Sequence, residues 1–389
     1  MLRVLSIIPS GSVYGLQHMT LNLFKSVSRN VDSHFLITRW TDGEFASKLD
    51  EISIPYTYSW LGMFSRKLDW VNLKMTTHCA LKIPSLYRDL LNLVRTYNPT
   101  IIYTANYHEL ILLCPLLPLA GKPVICHMHD PPSTTSFYRS LFSILSRAID
   151  RYIAVSRNVQ LRLERLGVKT DKISLLDNGI DLSEFPYVAS RSDFFAKRYG
   201  WPSDSVIIGM TGQMIQEKGH LDLIEAVRIV RSECPSVHLV IGGKKDGIYY
   251  EQLKSTVREN GLEEVVAFSG WQAEVRDFFS EIDIFILASH HEEGFGLVVA
   301  QAMATGLPVV ATRRGGVTEV VEDGKTGVLV EKSNVSQLTQ AIQYLVKSPM
   351  TRKAMGKAGR GRVETYFDLS KQALRFEAIL KDASNPHRI

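Results

Sequence analysis

An α/β fold of two open parallel-sheet units is what this sequence predicts, on three observations. Short runs rich in Val, Ile and Leu alternate with longer segments of helical period along the whole chain. The length of 389 residues suits two domains of ordinary size. Around 184–205 the alternation lapses into mixed charge with Pro186 and Pro202, and a second series then starts afresh.

In the first half, strands are expected at 3–8, 34–39, 101–104, 124–128, 152–155 and 173–176. Helices are expected between them at 16–28, 86–97, 138–148 and 159–166. In the second half the strands fall at 206–209, 237–241, 265–268, 284–287 and 308–311, with helices at 221–231, 298–304 and 335–346. The domains are therefore drawn at 1–190 and 191–365. A C-terminal piece, 366–389, carries a helical pattern at 367–383. Ligands of open parallel sheets bind beyond the carboxyl ends of the strands, so a crevice between two such units is the expected site.

Composition sets limits. Apolar residues make up 45% and charged residues 22%, which excludes disorder over most of the length. A net charge of +5 makes no case for nucleic acid but suits an anionic substrate or a membrane surface. Cys79, Cys114, Cys126 and Cys234 form no C-x-x-C pair and read as reduced thiols of an intracellular protein, with neither a disulfide framework nor a zinc site. The apolar N-terminus is broken at Ser10-Gly11-Ser12, too soon for a signal peptide. The longest apolar run, 110–120, contains Pro115 and Pro118 and falls short of the ~20 residues a spanning helix needs. A cytoplasmic protein is expected.

Chemistry concentrates in the segment 283–316, DIFILASHHEEGFGLVVAQAMATGLPVVATRRGG. A buried strand gives way to an acidic turn, and Gly294-Phe295-Gly296 opens a helix whose first free N–H groups attract an anion. Glu293 lies on the turn and Gln301 eight positions later, about two helical turns, so both can reach one bound molecule. A second strand ends at Gly315-Gly316. Taken alone, Glu292-Glu293 is a solvated acidic turn and Lys218 a surface lysine; the glycine and strand settings raise both. His127 and His129 share one face of a strand, so periodicity does not choose between them, and His129 is favoured because it borders the loop. His290 and His291 lack a third ligand at metal spacing and read as loop histidines. Gly11-x₃-Gly15 is not a dinucleotide fingerprint.

On these residues the chain resembles the nucleotide-sugar glycosyltransferases of family 4. Glu293 to Gln301 matches the family's E-x₇-E region, and Asn178-Gly179-Ile180-Asp181 with Phe185 matches its NGID turn. Val155-Ser156, Tyr14-Gly15, Gly212-Gln213 followed by Lys218-Gly219, and His127 with His129-Asp130 stand where the family keeps its other landmarks. The resemblance implies the GT-B fold: two Rossmann-like doubly wound units facing each other across a cleft, acceptor side first and donor side second. It also implies a retaining reaction, with no bound metal and no cofactor, that moves a hexose-type sugar from a nucleoside-diphosphate sugar to a glycan or lipid-linked acceptor. Bacterial surface polysaccharide or glycoconjugate synthesis is the setting it implies.

By the same resemblance, Lys218 meets the diphosphate, with Gly212, Gln213 and the Gly294-Phe295-Gly296-Leu297 segment around the donor. Glu293 meets sugar hydroxyls, Gln301 the ribose, Gly15 the phosphate, and His129 the sugar near its reactive carbon. Base recognition falls around 243–245 and Trp271, and the acceptor on loops that include 59–77. Two residues depart from the family: Gln301 replaces its second acid and Gln213 its phosphate-binding Arg. Losing a charged hydrogen bond to phosphate is worth roughly 1.5–3 kcal/mol, and Arg313 or Arg314 is the expected compensating cation. The departures leave a rival reading, a catalytically weakened homologue that binds nucleotide sugar as a sensor or partner subunit. A nucleotide-sugar epimerase ranks third.

From 136 to 172 eight Lys or Arg face three acids. Solvated helix faces explain this; the sharper reading is contact with anionic lipid through Phe137, Leu141 and Phe142.

Overall fold

Parallel strands buried on both faces need apolar runs without alternation, and most of the thirteen strands that the described residues form in two sheets are such runs. The computed structural model describes residues 1–9, 11, 13–40, 43–61, 70–272 and 274–385, with the side chains of 70–76 and 109 outside that description. Part of the expected acceptor loop, 62–69, therefore lies outside the described residues. The chain divides into two units, Met1–Gly179 with Leu369–Ile389, and Ile180–Asp368.

The first unit runs β1 (Leu2–Ile8), α1 (Gly15–Val27), β2 (Val31–Thr38), α2 (Glu44–Glu51), β3 (Tyr56–Ser59), α3 (Trp70–Tyr97) and β4 (Ile101–Thr104). It continues through α4 (His108–Leu113), α5 (Leu117–Ala120), β5 (Val124–Met128), α6 (Ser136–Leu145), β6 (Arg151–Ala154), α7 (Arg157–Arg165) and β7 (Ile173–Leu175). Its all-parallel sheet has the order β3-β2-β1-β4-β5-β6-β7. Strand order reverses between β1 and β4, which puts the loops after both at the switch point. Val155-Ser156 has a local reason: the Ser156 hydroxyl accepts from Val159 N at 3.2 Å and caps α7.

The second unit runs α8 (Phe194–Tyr199), β8 (Val206–Thr211), α9 (His220–Glu233), β9 (Val237–Gly242), α10 (Gly247–Glu259), β10 (Val266–Gly270), α11 (Val275–Ser280) and β11 (Ile284–Leu287). After these come α12 (Leu297–Ala304), β12 (Val309–Thr312), α13 (Val317–Val320), β13 (Gly327–Val330), α14 (Val335–Lys347) and α15 (Pro349–Arg362). The sheet order is β10-β9-β8-β11-β12-β13, again parallel, with its reversal between β8 and β11. The last helix, α16 (Leu369–Ala383), returns to the first unit. There Phe376 meets Phe24 and Tyr103 edge to face at 5.4 and 5.8 Å, and Asn30 donates to Glu377 at 3.0 Å.

The differences from expectation include whole elements: β13 and the helices α2, α10 and α15 stand where no element was expected. Helix α3 starts at Trp70 instead of 86 and runs on through Pro84, the residue that hides its earlier turns in the sequence. Strand β3 is four residues long and mostly half-buried, too short and polar to stand out. Among the described residues no helix is long and apolar enough to cross a membrane.

Candidate active site

Three loops meet at the carboxyl ends of β8, β11 and β12. The loop after β8 closes in a 3₁₀ turn, Gln216–Lys218, and Gly219 then starts α9. Gly219 has a positive φ of 74°, and a Cβ there would stand 2.0 Å from Ala288 O; only glycine lets this turn lie against the exit of β11. The approach is fixed by the Glu217 carbonyl. It accepts from His290 N at 2.6 Å, His291 N at 3.3 Å and the Ser289 hydroxyl at 3.3 Å. A side-chain tie completes it, His290 Nε2 to Asp222 Oδ2 at 2.7 Å.

These ties deliver the central feature. Lys218 Nζ donates to Glu293 Oε1 at 2.6 Å, both side chains about one-fifth exposed. The pair straddles the β8/β11 switch point, the ligand position of open parallel sheets. The first turns of α9 and α12 open beside these loops and present N–H groups that lack intrahelical partners.

The third loop lies on the second, backbone to backbone. Gly316 N donates to Glu293 O at 2.9 Å, and a Cβ on Gly316 would stand 2.3 Å from Gly294 O. Of the expected compensating cations, Arg313 bonds Asp323, pairs with Glu331 at 3.3 Å and donates to Leu329 O at 3.4 Å. Arg314 approaches Glu292 at 3.6 Å, and its Nε is buried without a hydrogen-bond partner among the described residues.

Three expectations are corrected here. Helix α12 starts only at Leu297, because Gly296 at φ +92° is its N-cap, so Gln301 lies just over one turn into the helix instead of two. The ring of Phe295 is buried against Phe367 at 5.3 Å, which removes its side chain from the surface a ligand meets. Phe142 is fully buried near Tyr107 and Tyr152; Phe137 and Ile144 are the large apolar residues that α6 exposes.

Gln213 follows Gly212 at the end of β8. Neither it nor Gln301 makes a side-chain hydrogen bond among the described residues. Gly212 N donates to Gly242 O at 3.1 Å and Gly243 N to Gly270 O at 2.9 Å, which aligns the exits of β8, β9 and β10. Trp271, half exposed, has Lys244 Nζ 5.9 Å from its ring.

In the first unit the structure separates the two histidines that periodicity left level. His127 is fully buried, its Nδ1 paired with the Tyr103 hydroxyl at 2.8 Å. His129 reaches the edge at 9% exposure, and its Nε2 has no hydrogen-bond partner among the described residues. Burial lowers its pKa to about 4, so the ring is neutral near pH 7. Gly15 is the first residue of α1, where Tyr14 N donates to Gln17 Oε1 at 3.1 Å. No three His, Cys, Asp or Glu among the described residues are placed to hold a metal. The Asp222–His290 tie escaped the sequence, because nothing local links positions 68 residues apart.

Two family descriptions match, "Glycosyltransferase Family 4" over residues 15–184 and "Glycosyl transferases group 1" over residues 192–362, nearly the whole chain between them. The chain belongs to the family 4 glycosyltransferases. The lipopolysaccharide core biosynthesis glycosyltransferase LpsE of Rhizobium meliloti is 30% identical over 185 residues, 48% of this chain and 52% of that protein. The GDP-mannose-dependent alpha-(1-6)-phosphatidylinositol monomannoside mannosyltransferase of Mycolicibacterium smegmatis is 29% identical over 296 residues, 73% of this chain and 77% of that one. The chain thus spans about half of the first and three-quarters of the second. Anabaena HepE, in a crystal structure with UDP and glucose, superposes with a TM-score of 0.83 at 19% identity over 98% of this chain and 100% of its own. That likeness shows the fold, the GT-B architecture.

Proposed function

We propose that the protein is a retaining glycosyltransferase. It moves a hexose-type sugar from a nucleoside diphosphate to a glycan or lipid-linked acceptor in polysaccharide or glycoconjugate synthesis. The observation that carries this reading is the Lys218–Glu293 pair at the β8/β11 switch point, between two helix starts. In the reaction the bond between the anomeric carbon and the diphosphate oxygen breaks while a bond to an acceptor hydroxyl oxygen forms, and the hydroxyl proton leaves with the diphosphate. Charge then grows on the departing diphosphate, where Lys218 and the amides of α9 and α12 stabilise it. Because Lys218 is already neutralised by Glu293, a phosphate that takes Lys218 frees the carboxylate to accept from sugar hydroxyls. Arg314, whose Nε has no hydrogen-bond partner among the described residues, would compensate for Gln213. Roles for Gly15 and His129 rest on the resemblance.

A second reading has its own support. Gln213 and Gln301 stand where an Arg and an acid are expected, which suits a protein that binds nucleotide sugar without turning it over. Thermal shift against UDP-, GDP- and ADP-sugars, followed by donor hydrolysis and transfer assays, separates the two. Stabilisation with turnover supports the enzyme, stabilisation without turnover the binding protein, and no stabilisation by any donor removes both. An anionic membrane surface is a further proposed partner, supported by exposed Phe137, Arg139 and Ile144 on α6 and exposed Arg147 in the turn after it. Absence of flotation with anionic liposomes at low salt would exclude it.

A further inference from the structure

Trp40 lies two residues past the end of β2 and Trp60 one past β3, both at the carboxyl edge of the first unit's sheet. The strand exits hold them in place. Arg39 N donates to Ser59 O at 2.9 Å, Trp40 N to Thr38 Oγ1 at 3.1 Å, and Thr38 Oγ1 to Leu61 O at 2.6 Å. The indoles meet edge to face, centroids 5.5 Å apart and planes at 70°, and His78 of α3 meets them at 5.0 and 5.2 Å. Two cations attend the cluster, Lys82 Nζ at 5.1 Å and the Arg39 guanidinium at 5.7 Å from the Trp60 ring.

Packing alone does not account for this arrangement. Trp40 is 38% exposed, and His78 Nε2 is buried with no hydrogen-bond partner among the described residues. Neither Arg39 nor Lys82 pairs with a carboxylate among those residues. Indole faces stack against the C–H faces of pyranose rings, because the ring quadrupole attracts their slightly positive hydrogens. Cations at the rim favour a negative charge on the same molecule. The position also suits a ligand, since open parallel sheets bind beyond the carboxyl ends of their strands.

We propose that Trp40, Trp60, His78, Arg39 and Lys82 form a carbohydrate subsite for a sugar ring bearing a negative charge, as phosphate or carboxylate. It would recognise the acceptor, a role that rests on the transferase reading, whereas sugar binding itself does not.

The test titrates the full chain with glucose 6-phosphate, glucuronic acid, methyl α-glucoside and inorganic phosphate, read by tryptophan fluorescence and saturation-transfer NMR. At least one anionic sugar should bind more tightly than both methyl α-glucoside and phosphate; its identity separates a phosphate from a carboxylate ligand. Trp40→Ala should weaken that binding about ten-fold, Trp40→Phe should keep most of it, and Arg39→Gln with Lys82→Gln should erase the preference for charge. Melting temperatures and UDP-sugar binding of the variants should match the parent, which separates a lost contact from a lost fold. Unchanged affinity in Trp40→Ala, phosphate binding as tight as sugar phosphate, or no preference over methyl α-glucoside would each overturn the subsite. If the sugars bind through Trp40 while no nucleotide sugar binds, the subsite stands and the transferase reading falls. If donor turnover proceeds and Trp40→Ala binds sugars normally, the reverse holds.

Discussion

At the scale of single residues, Glu293 and Lys218 are informative because each neutralises the other in the absence of phosphate. On the proposed reading, Glu293 and the donor diphosphate compete for one cation: the carboxylate of Glu293 holds Lys218 at 2.6 Å, and the diphosphate would take that same ammonium. Glu293→Gln should therefore separate two properties. Free UDP or GDP should bind as tightly or up to about ten-fold more tightly, since a partly screened ion pair of order 1 kcal/mol no longer opposes it. Turnover should fall about a hundred-fold, because a neutral amide accepts more weakly from sugar hydroxyls. Calorimetric titration beside initial-rate kinetics reads both. Weaker nucleotide binding with unchanged turnover would reverse the assignment. The same residues show what a sequence reveals at this scale. Lys218 and Glu293 were legible through their glycine neighbours, but their mutual bond was not, because it joins positions 75 residues apart. Glutamine at 213 and 301 was legible as a departure, and the buried Nε of Arg314 only from the fold.

At the scale of elements, the site is a joint between loops. The Glu217 carbonyl takes three donors from 289–291, and Asp222 on α9 takes His290, so the exits of β8 and β11 form one piece. His290→Phe removes the side-chain tie and leaves Asp222 without that partner, at a cost of about 1 kcal/mol. The melting temperature of the second unit should then drop by about 2–4 °C. The donor KM should rise about five-fold with kcat less affected, since the loop still forms but holds Lys218 and Glu293 less firmly. His290→Gln, which can still donate to Asp222, should recover most of the KM. If the glutamine variant behaves like phenylalanine, the tie is not what positions the loop. Element by element, the strands of buried Val and Ile were legible because burial on both faces demands continuous apolar runs; β11 falls at 284–287 as expected. Strand β3, with Tyr-Thr-Tyr-Ser, was not, and neither was the first half of α3 ahead of Pro84. In both, tertiary packing overrides a weak or contrary local signal.

At the scale of the whole molecule, each unit contains histidines that folding keeps neutral. Burial holds His127 well below its ordinary pKa and His129 at about 4 in the first unit, and in the second it lowers His220 and His238 to about 4. An unfolded histidine takes its proton near pH 6.5. As pH falls from about 6.5 toward 4, the unfolded chain binds protons that the folded chain refuses, so stability declines across that window and is complete above it. Each group contributes a slope of up to about 1.4 kcal/mol per pH unit. Carboxylates held low by cations, such as Glu233 beside Lys347 and Glu377 beside Lys381, lose their contribution only at still lower pH. Half-buried Asp283, whose pKa is raised by desolvation, opposes the trend because its folded form takes a proton earlier. Urea midpoints measured from pH 7.5 to 5 should therefore hold down to about pH 6.5 and fall below it for both units. His238→Phe is the sharpest check: its ring stacks on Trp201 at 4.5 Å and its Nδ1 has no hydrogen-bond partner among the described residues, so phenylalanine keeps the packing and removes one titration. The variant should lose stability less steeply than the parent over the same range, and a slope identical to the parent's would show that the burial of His238 is not linked to folding.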